Sequence, residues 1–261
     1  MKKLYLIGMG PGRPEFLTVQ AIEALKRTDV FFMLEKDGRG KEELLQMRRD
    51  ILDHYLGENG LGESGYRVVV ANSPTRRMAS GDYKEDVKIW HEEKHALFQR
   101  LIDEELADGQ NGALLLWGDP AIYDQTVSLV SDLVARSEGQ LDFEIIPGIT
   151  SVQMLAAQHK IPLNRIGESI TITTGRHVET CDPSEIDNAV VMLDYNASFQ
   201  RFRGQNMDVY WAGYLGCPDE ILVSGPVDEV TDDLLRVKAE AREKKGWLMD
   251  IYLLRRRRHD I

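Results

Sequence analysis

Through the first half of the chain, short apolar runs alternate with longer stretches in which apolar residues recur every three or four positions. Residues 3–7 read as a strand and 16–28 as a helix, with Leu17, Ala21, Ala24 and Leu25 on one face. A more polar helix is expected over 41–55, and the four glycines of 57–65 mark a loop. Then come a strand at 67–71, a long helix at 82–107, a wholly apolar strand at 113–117, a helix at 125–135 and a strand at 143–146. Strands separated by helices pair in parallel and are covered on both faces.

After Gly148 the rhythm changes. A helix over 151–159 is followed by closely spaced strands at 169–174, 189–193, 208–211, 221–224 and 247–254, interrupted by one charged helix at 232–244. That pattern predicts a mixed sheet with fewer crossovers. The expected class is α/β in two domains, 1–148 with a mostly parallel sheet and 149–261 with a mixed one.

Composition adds exclusions. No apolar run approaches the roughly 18 residues of a membrane span. The opening Met1-Lys2-Lys3 leads into an apolar stretch too short for a signal peptide, so a cytoplasmic location is expected. Cys181 and Cys217 form no C-x-x-C pair and read as reduced thiols. A formal charge of −11 repels a polyanion, which argues against nucleic acid as a general partner, RNA included. The basic segment Arg255-Arg256-Arg257-Arg258 reads as a solvated tail.

The turn after the first strand, Gly8-Met9-Gly10-Pro11-Gly12-Arg13-Pro14, suggests a nucleotide site but fits the dinucleotide fingerprint badly. Arg13 stands where a third glycine belongs, and Pro11 and Pro14 carry no N–H to aim at a diphosphate. An adenosine ligand without phosphate fits better. Gly118-Asp119-Pro120 and Pro147-Gly148-Ile149-Thr150-Ser151 follow the next two apolar strands, at the carboxyl ends where ligands collect in α/β sheets. Asp119 could accept from a ribose hydroxyl or an amine, and Thr150 and Ser151 could touch the ligand or cap the next helix.

In this order and spacing, Gly8-x-Gly10-Pro11-Gly12-x-Pro14 with Leu17-Thr18 and Ala21, then Gly118-Asp119-Pro120, then Pro147-Gly148-Ile149-Thr150-Ser151 resemble the tetrapyrrole methylase family over essentially the whole chain. The resemblance implies two α/β domains with the active-site cleft between them, S-adenosylmethionine as cofactor, a tetrapyrrole substrate and a homodimer. Carried over by position, the implied cofactor contacts are Pro11, Gly118, Asp119, Ile122, Thr150, Ser151 and Leu193. Ala212, Tyr214, Gly225 and Pro226 follow in a softer register.

Methyl transfer from a sulfonium needs alignment and exclusion of water rather than a covalent residue. The long segment 36–110 with residues 117–124, and residues 161–168 followed by 172–176, look like one branch of the family, whose reaction also expels an acetyl group as acetate. Attack of water on that ketone needs a general base; Asp119, Tyr123, His91 and Asp194 are the candidates. For the substrate's carboxylates the candidates are Arg13, Arg76, Arg77, Arg165 and Arg176. His91-Glu92-Glu93-Lys94-His95 matches H-E-x-x-H, the spacing of a zinc hydrolase, but lacks a third ligand at a recognised spacing; no metal is expected.

Overall fold

The computed structural model describes residues 1–35, 38, 40, 42–57, 65–75 and 82–258, apart from the side chain of Tyr83. Its contacts divide the chain into two compact units, Met1–Ile149 and Thr150–Ile261. Arg76 and Arg77 lie outside the described residues.

In the first unit, strands β1 (Lys2–Gly8), β2 (Val30–Glu35), β3 (Arg67–Asn72), β4 (Asn111–Leu116) and β5 (Leu141–Ile146) form one sheet in the order β3-β2-β4-β1-β5. All four pairings are parallel. Helices α1 (Val19–Lys26), α2 (Glu42–Leu56), α3 (Tyr83–Glu105) and α4 (Thr126–Arg136) are the crossovers. Alternation along β1 sets the layers. Tyr5 and Ile7 pack with Ala21 and Leu25 of α1 and Ile51 and Leu52 of α2. Leu4 and Leu6 pack with Phe98 and Ile102 of α3 and Val130 and Leu133 of α4. Both faces are dry, as a continuously apolar parallel strand requires.

Two local outcomes differ from expectation. The first helix begins at Val19, not at 16, because Pro14–Phe16 forms a single 3-10 turn and Thr18 then caps the helix, accepting from Ala21 N at 3.1 Å. The strand β2 is a second difference, for the sequence pattern does not set it apart. It follows α1 with no Gly or Pro between, so the helical and extended patterns run together. Asp29 makes the break, taking Asn111 N–H on its carboxylate at 2.7 Å and Arg67 N–H on its carbonyl at 3.0 Å.

The second unit holds α5 (Ser151–His159), β6 (Thr171–Thr174), α6 (Gly175–Thr180), β7 (Asn188–Met192), β8 (Met207–Gly213), β9 (Ile221–Pro226), α7 (Val227–Lys245) and β10 (Asp250–Arg256). The sheet order is β6-β7-β10-β8-β9, with β6 and β7 parallel and the other pairs antiparallel. Its core gathers Phe199, Phe202, Trp211, Val227, Leu234 and Tyr252, all essentially inaccessible. Side chains of this size contribute roughly 2–3 kcal/mol each on burial. Residues 247–249 are not strand, since Gly246 at φ 79° ends α7 and Trp247 stacks edge-on to Tyr214 at 5.0 Å.

The C-terminal arginines are no solvated tail. Arg255 and Arg256 lie in β10. Arg255 is buried and donates to the carbonyls of Pro162 and Leu163, Arg256 to those of Gln205, Pro183 and Ile186. Arg258 pairs with Glu168 at 2.6 Å and Asp187 at 3.2 Å. Carbonyls of this unit take up Arg255 and Arg256, while Arg258 stays at the surface in its ion pairs.

Candidate functional site

In the first unit the chain leaves β1 toward β2 and β3 on one side and leaves β4 toward β5 on the other. The switch of direction falls between β1 and β4, where a crevice outside the carboxyl ends is expected. The loops after β1, β4 and β5 emerge side by side, because Gly8 is in register with Leu116 and Ile7 with Ile146.

These loops interlock through backbone. Gly10 and Gly118 form an antiparallel bridge, Gly10 N–H to Gly118 O at 3.1 Å and the reverse at 2.9 Å. A Cβ on Gly8 would sit 2.5 Å from Gly148 N, and one on Gly148 would run into the Gly118 carbonyl. Both positions therefore exclude any side chain. Asp119 fastens the set, its Oδ1 accepting from Ala121 N at 2.8 Å and its Oδ2 from Gly148 N at 2.9 Å. From below, Tyr55 donates to Pro14 O at 2.9 Å. Arg48 of α2, absent from the sequence expectations, donates to Leu115 O at 3.0 Å and Leu44 O at 2.6 Å. Burial lowers its guanidinium to about 10, against the pull of nearby Asp124. The only signal in the sequence was a cation placed near the apolar stripe of α2.

The donor inventory decides the ligand class. Met9 N–H goes to Leu116 O at 2.9 Å and Gly10 N–H to Gly118 O, while Pro11 and Pro14 have none. A diphosphate needs donors, and the first loop has spent or lacks most of them. Turns of small residues with few free donors suit the uncharged adenosine and cationic sulfonium of S-adenosylmethionine better than a diphosphate, and the residues fit that group. Pro11 and Gly118 are buried, Asp119 and Ile122 half-buried. Tyr123 is 48% exposed at φ 53°, a left-handed conformation uncommon outside glycine.

The second unit carries the other expected positions. Thr150 caps α5 in a full capping box with Gln153, the alternative its position left open, and Ser151 opens the helix. Leu193 follows β7 at φ 56° and is 67% exposed. Neither of its peptide groups is hydrogen-bonded among the described residues. Ala212 sits inside β8, paired to Ile251 and Leu222. Tyr214 is buried at φ 50°, its N–H on Met249 O, its carbonyl taking Cys217 N–H, its hydroxyl donating to Ala241 O and Trp247 O. Gly225 and Pro226 close β9.

Asp194 is unsuited to act as a base. It is 3% exposed and its carboxylate already accepts from Ser198 N at 2.6 Å, Ser198 Oγ at 2.8 Å and Tyr252 OH at 2.7 Å. Both Asp119 oxygens are likewise engaged. Arg165 pairs with Glu168 at 3.3 Å and donates to Arg256 O at 2.8 Å, which ties it to the fold; Arg13 and Arg176 are exposed. His91 and His95 lie on α3 beside Trp90, which donates to Pro74 O at 2.8 Å. Among the described residues no three His, Cys, Asp or Glu side chains converge on a metal position.

Comparison with known proteins places this geometry. Residues 3–231 match the model of the Tetrapyrrole (Corrin/Porphyrin) Methylases. A precorrin-6A synthase [deacetylating] from Sinorhizobium sp is 43% identical over 256 residues, 98% of this chain and 96% of that protein. The crystal structure of a putative cobalamin synthesis related protein from Corynebacterium diphtheriae superimposes with a TM-score of 0.82 at 35% identity, covering 98% of each chain. A uroporphyrin-III C-methyl transferase from Thermus thermophilus, complexed with S-adenyl homocysteine, shares the fold at a TM-score of 0.60 and 17% identity, over 97% of both chains.

Proposed function

This chain belongs to the tetrapyrrole (corrin/porphyrin) methylase family, and on that premise we propose that it is the precorrin-6A synthase (deacetylating) of cobalamin biosynthesis. The reaction is S-adenosylmethionine-dependent methylation of precorrin-5 at C-1 with release of acetate. The observation that carries this reading is the identity to the deacetylating synthase along nearly the whole of both chains.

S-adenosylmethionine supplies the methyl group as an electrophile on a sulfonium. The chain's part is to hold it. The bridged turns at Gly10 and Gly118 present backbone with no side chain in the way, and Asp119 keeps the turn after β4 locked to Gly148. Ile122, Thr150, Ser151, Leu193, Ala212, Tyr214, Gly225 and Pro226 complete the proposed set. Ala212 and Tyr214 serve through packing, since their peptide groups are already used. Loss of acetate begins with water adding to the acetyl ketone. The bond to C-1 then breaks, and its electron pair stays on the ring carbon that takes the methyl. Of the candidate bases, Asp194 is buried with three donors, Asp119 holds one backbone N–H on each oxygen, and His91 lies on the helix after the outermost strand β3. Tyr123, exposed on the loop after β4, is assigned the part of orienting that water through its hydroxyl. Arg13 and Arg176 are assigned to substrate carboxylates.

The reading includes a homodimer in the cytoplasm and no nucleic-acid partner, supported by family likeness and the charge of −11. No helix among the described residues is long and apolar enough to cross a membrane.

The test is incubation with methyl-labelled cofactor and precorrin-5, with mass analysis of the product. The expected product has gained one methyl and lost one acetyl. Methyl gain with the acetyl retained would assign the chain to a sister methyltransferase.

A further inference from the structure

Leu193 is exposed and left-handed, yet the residue after it is among the most completely fastened in the second unit. Asp194 accepts three hydrogen bonds from Ser198 and Tyr252, and its carbonyl faces Lys238 Nζ at 3.3 Å. Lys238, 3% exposed on α7, is paired with Asp250 at 2.5 Å, and Asp250 also takes the indole N–H of Trp211 at 2.9 Å. Gly175 lets this happen, for a Cβ there would lie 2.5 Å from Asp194 Cα. On the outer side Arg242 donates to Tyr195 O at 3.0 Å and stacks over its ring at 4.4 Å. The turn ends at Ala197, again left-handed at φ 58°.

A buried carboxylate, a buried ammonium–carboxylate pair and two left-handed residues are a costly way to build a surface turn. The carboxylates also satisfy the buried Tyr252 hydroxyl and Trp211 indole, but those two bonds do not call for a left-handed turn whose Leu193 and Tyr195 are 67% and 77% exposed. We infer that this network is a positioning device: Asp194, Tyr252 and Lys238 hold Leu193 in its left-handed conformation so that its unpaired peptide groups are presented to the methyl donor. This rests on the cofactor reading given above and adds to it the residues that set the geometry of the Leu193 contact. Asp194 is then a positioning residue, not a catalytic one. The side chain of Leu193 matters less than its backbone angle.

The test is calorimetry of S-adenosylhomocysteine binding to the full chain, paired with KM for donor and for tetrapyrrole. Y252F keeps the ring against Phe199 and removes one donor from Asp194. It is expected to weaken binding about tenfold, raising KM for the donor but not for the tetrapyrrole, with kcat recovered at saturating donor. A purely structural role would lower melting temperature without that split. At Leu193 two substitutions are compared. L193V is apolar but β-branched and resists positive φ, whereas L193G adopts it freely. The expected order is L193V at least tenfold weaker than L193G. The reverse order assigns the contact to the side chain and overturns the inference, as does Y252F binding within twofold of the parent. If the unsubstituted chain binds no S-adenosylhomocysteine, the cofactor reading itself fails; if it binds and the variants match it, only the positioning role fails.

Discussion

Asp119 and Gly148 are joined by a 2.9 Å hydrogen bond from the glycine N–H to Oδ2, which links the turn after β4 to the turn after β5 across the end of β1. The carboxylate thereby fixes the relative position of two ligand loops, with its other oxygen holding Ala121. D119A removes both anchors, and S-adenosylhomocysteine affinity is expected to fall by about 10- to 100-fold, in line with about 1.5–3 kcal/mol for a bond to a charged group. Unchanged affinity by calorimetry would take Asp119 out of the site.

Much of this site is legible in the sequence. The three loops follow apolar runs and contain glycine and proline where side chains and donors are unwelcome, so their place at the strand ends follows from periodicity and turn chemistry. What the sequence does not reveal is which polar groups are spent. Asp119, Asp194 and Thr150 each have a chemistry suited to a ligand, yet Ser198 and Tyr252 claim Asp194, and Ala121 and distant Gly148 each hold one Asp119 oxygen. Arg255 and Arg256 mislead in the same way, because no local pattern announces that five carbonyls distant in sequence converge on β10. The strand β2 escapes because its boundary is made by a side chain, Asp29, rather than by a glycine or proline.

Close backbone approach gives a second prediction. G148A would press a methyl into the Gly118 carbonyl and the Gly8 backbone. Neither neighbour is a flexible side chain that can swing away. The variant is expected to lose more than about 3 kcal/mol of stability and to unfold at lower temperature in a calorimetric scan, while G139A, where a Cβ meets nothing within 4 Å but φ is 80°, loses only about 1 kcal/mol.

The Lys238–Asp250 pair should be asymmetric in its response. Deleting the ammonium in K238M leaves Asp250 buried with only the Trp211 indole for company, and a cost of about 3–5 kcal/mol is expected. Chemical denaturation of K238M and of the double substitution K238M with D250L checks this: the double variant should be the more stable of the two.

His159 supplies a pH dependence. Burial holds its imidazole below the ordinary histidine value, partly offset by its contact with the Trp211 carbonyl at 3.1 Å and by Glu220. A depressed folded-state value means the native form prefers the neutral ring. The stability it contributes is complete above the ordinary value near 6.5 and is lost as pH falls through the depressed one. Melting temperature should decline on acidification below about pH 6.5, and H159Q should flatten that decline.

The strand that comes last in the second unit is the one its sheet is built around. β7 and β8 each pair with β10 and not with each other. Without residues 250–256, β6 with β7 and β8 with β9 would be two separate pairs, each with a bare inner edge. Such edges invite pairing with other chains. Loss or displacement of β10 would therefore leave this half of the protein with two open edges rather than one continuous sheet.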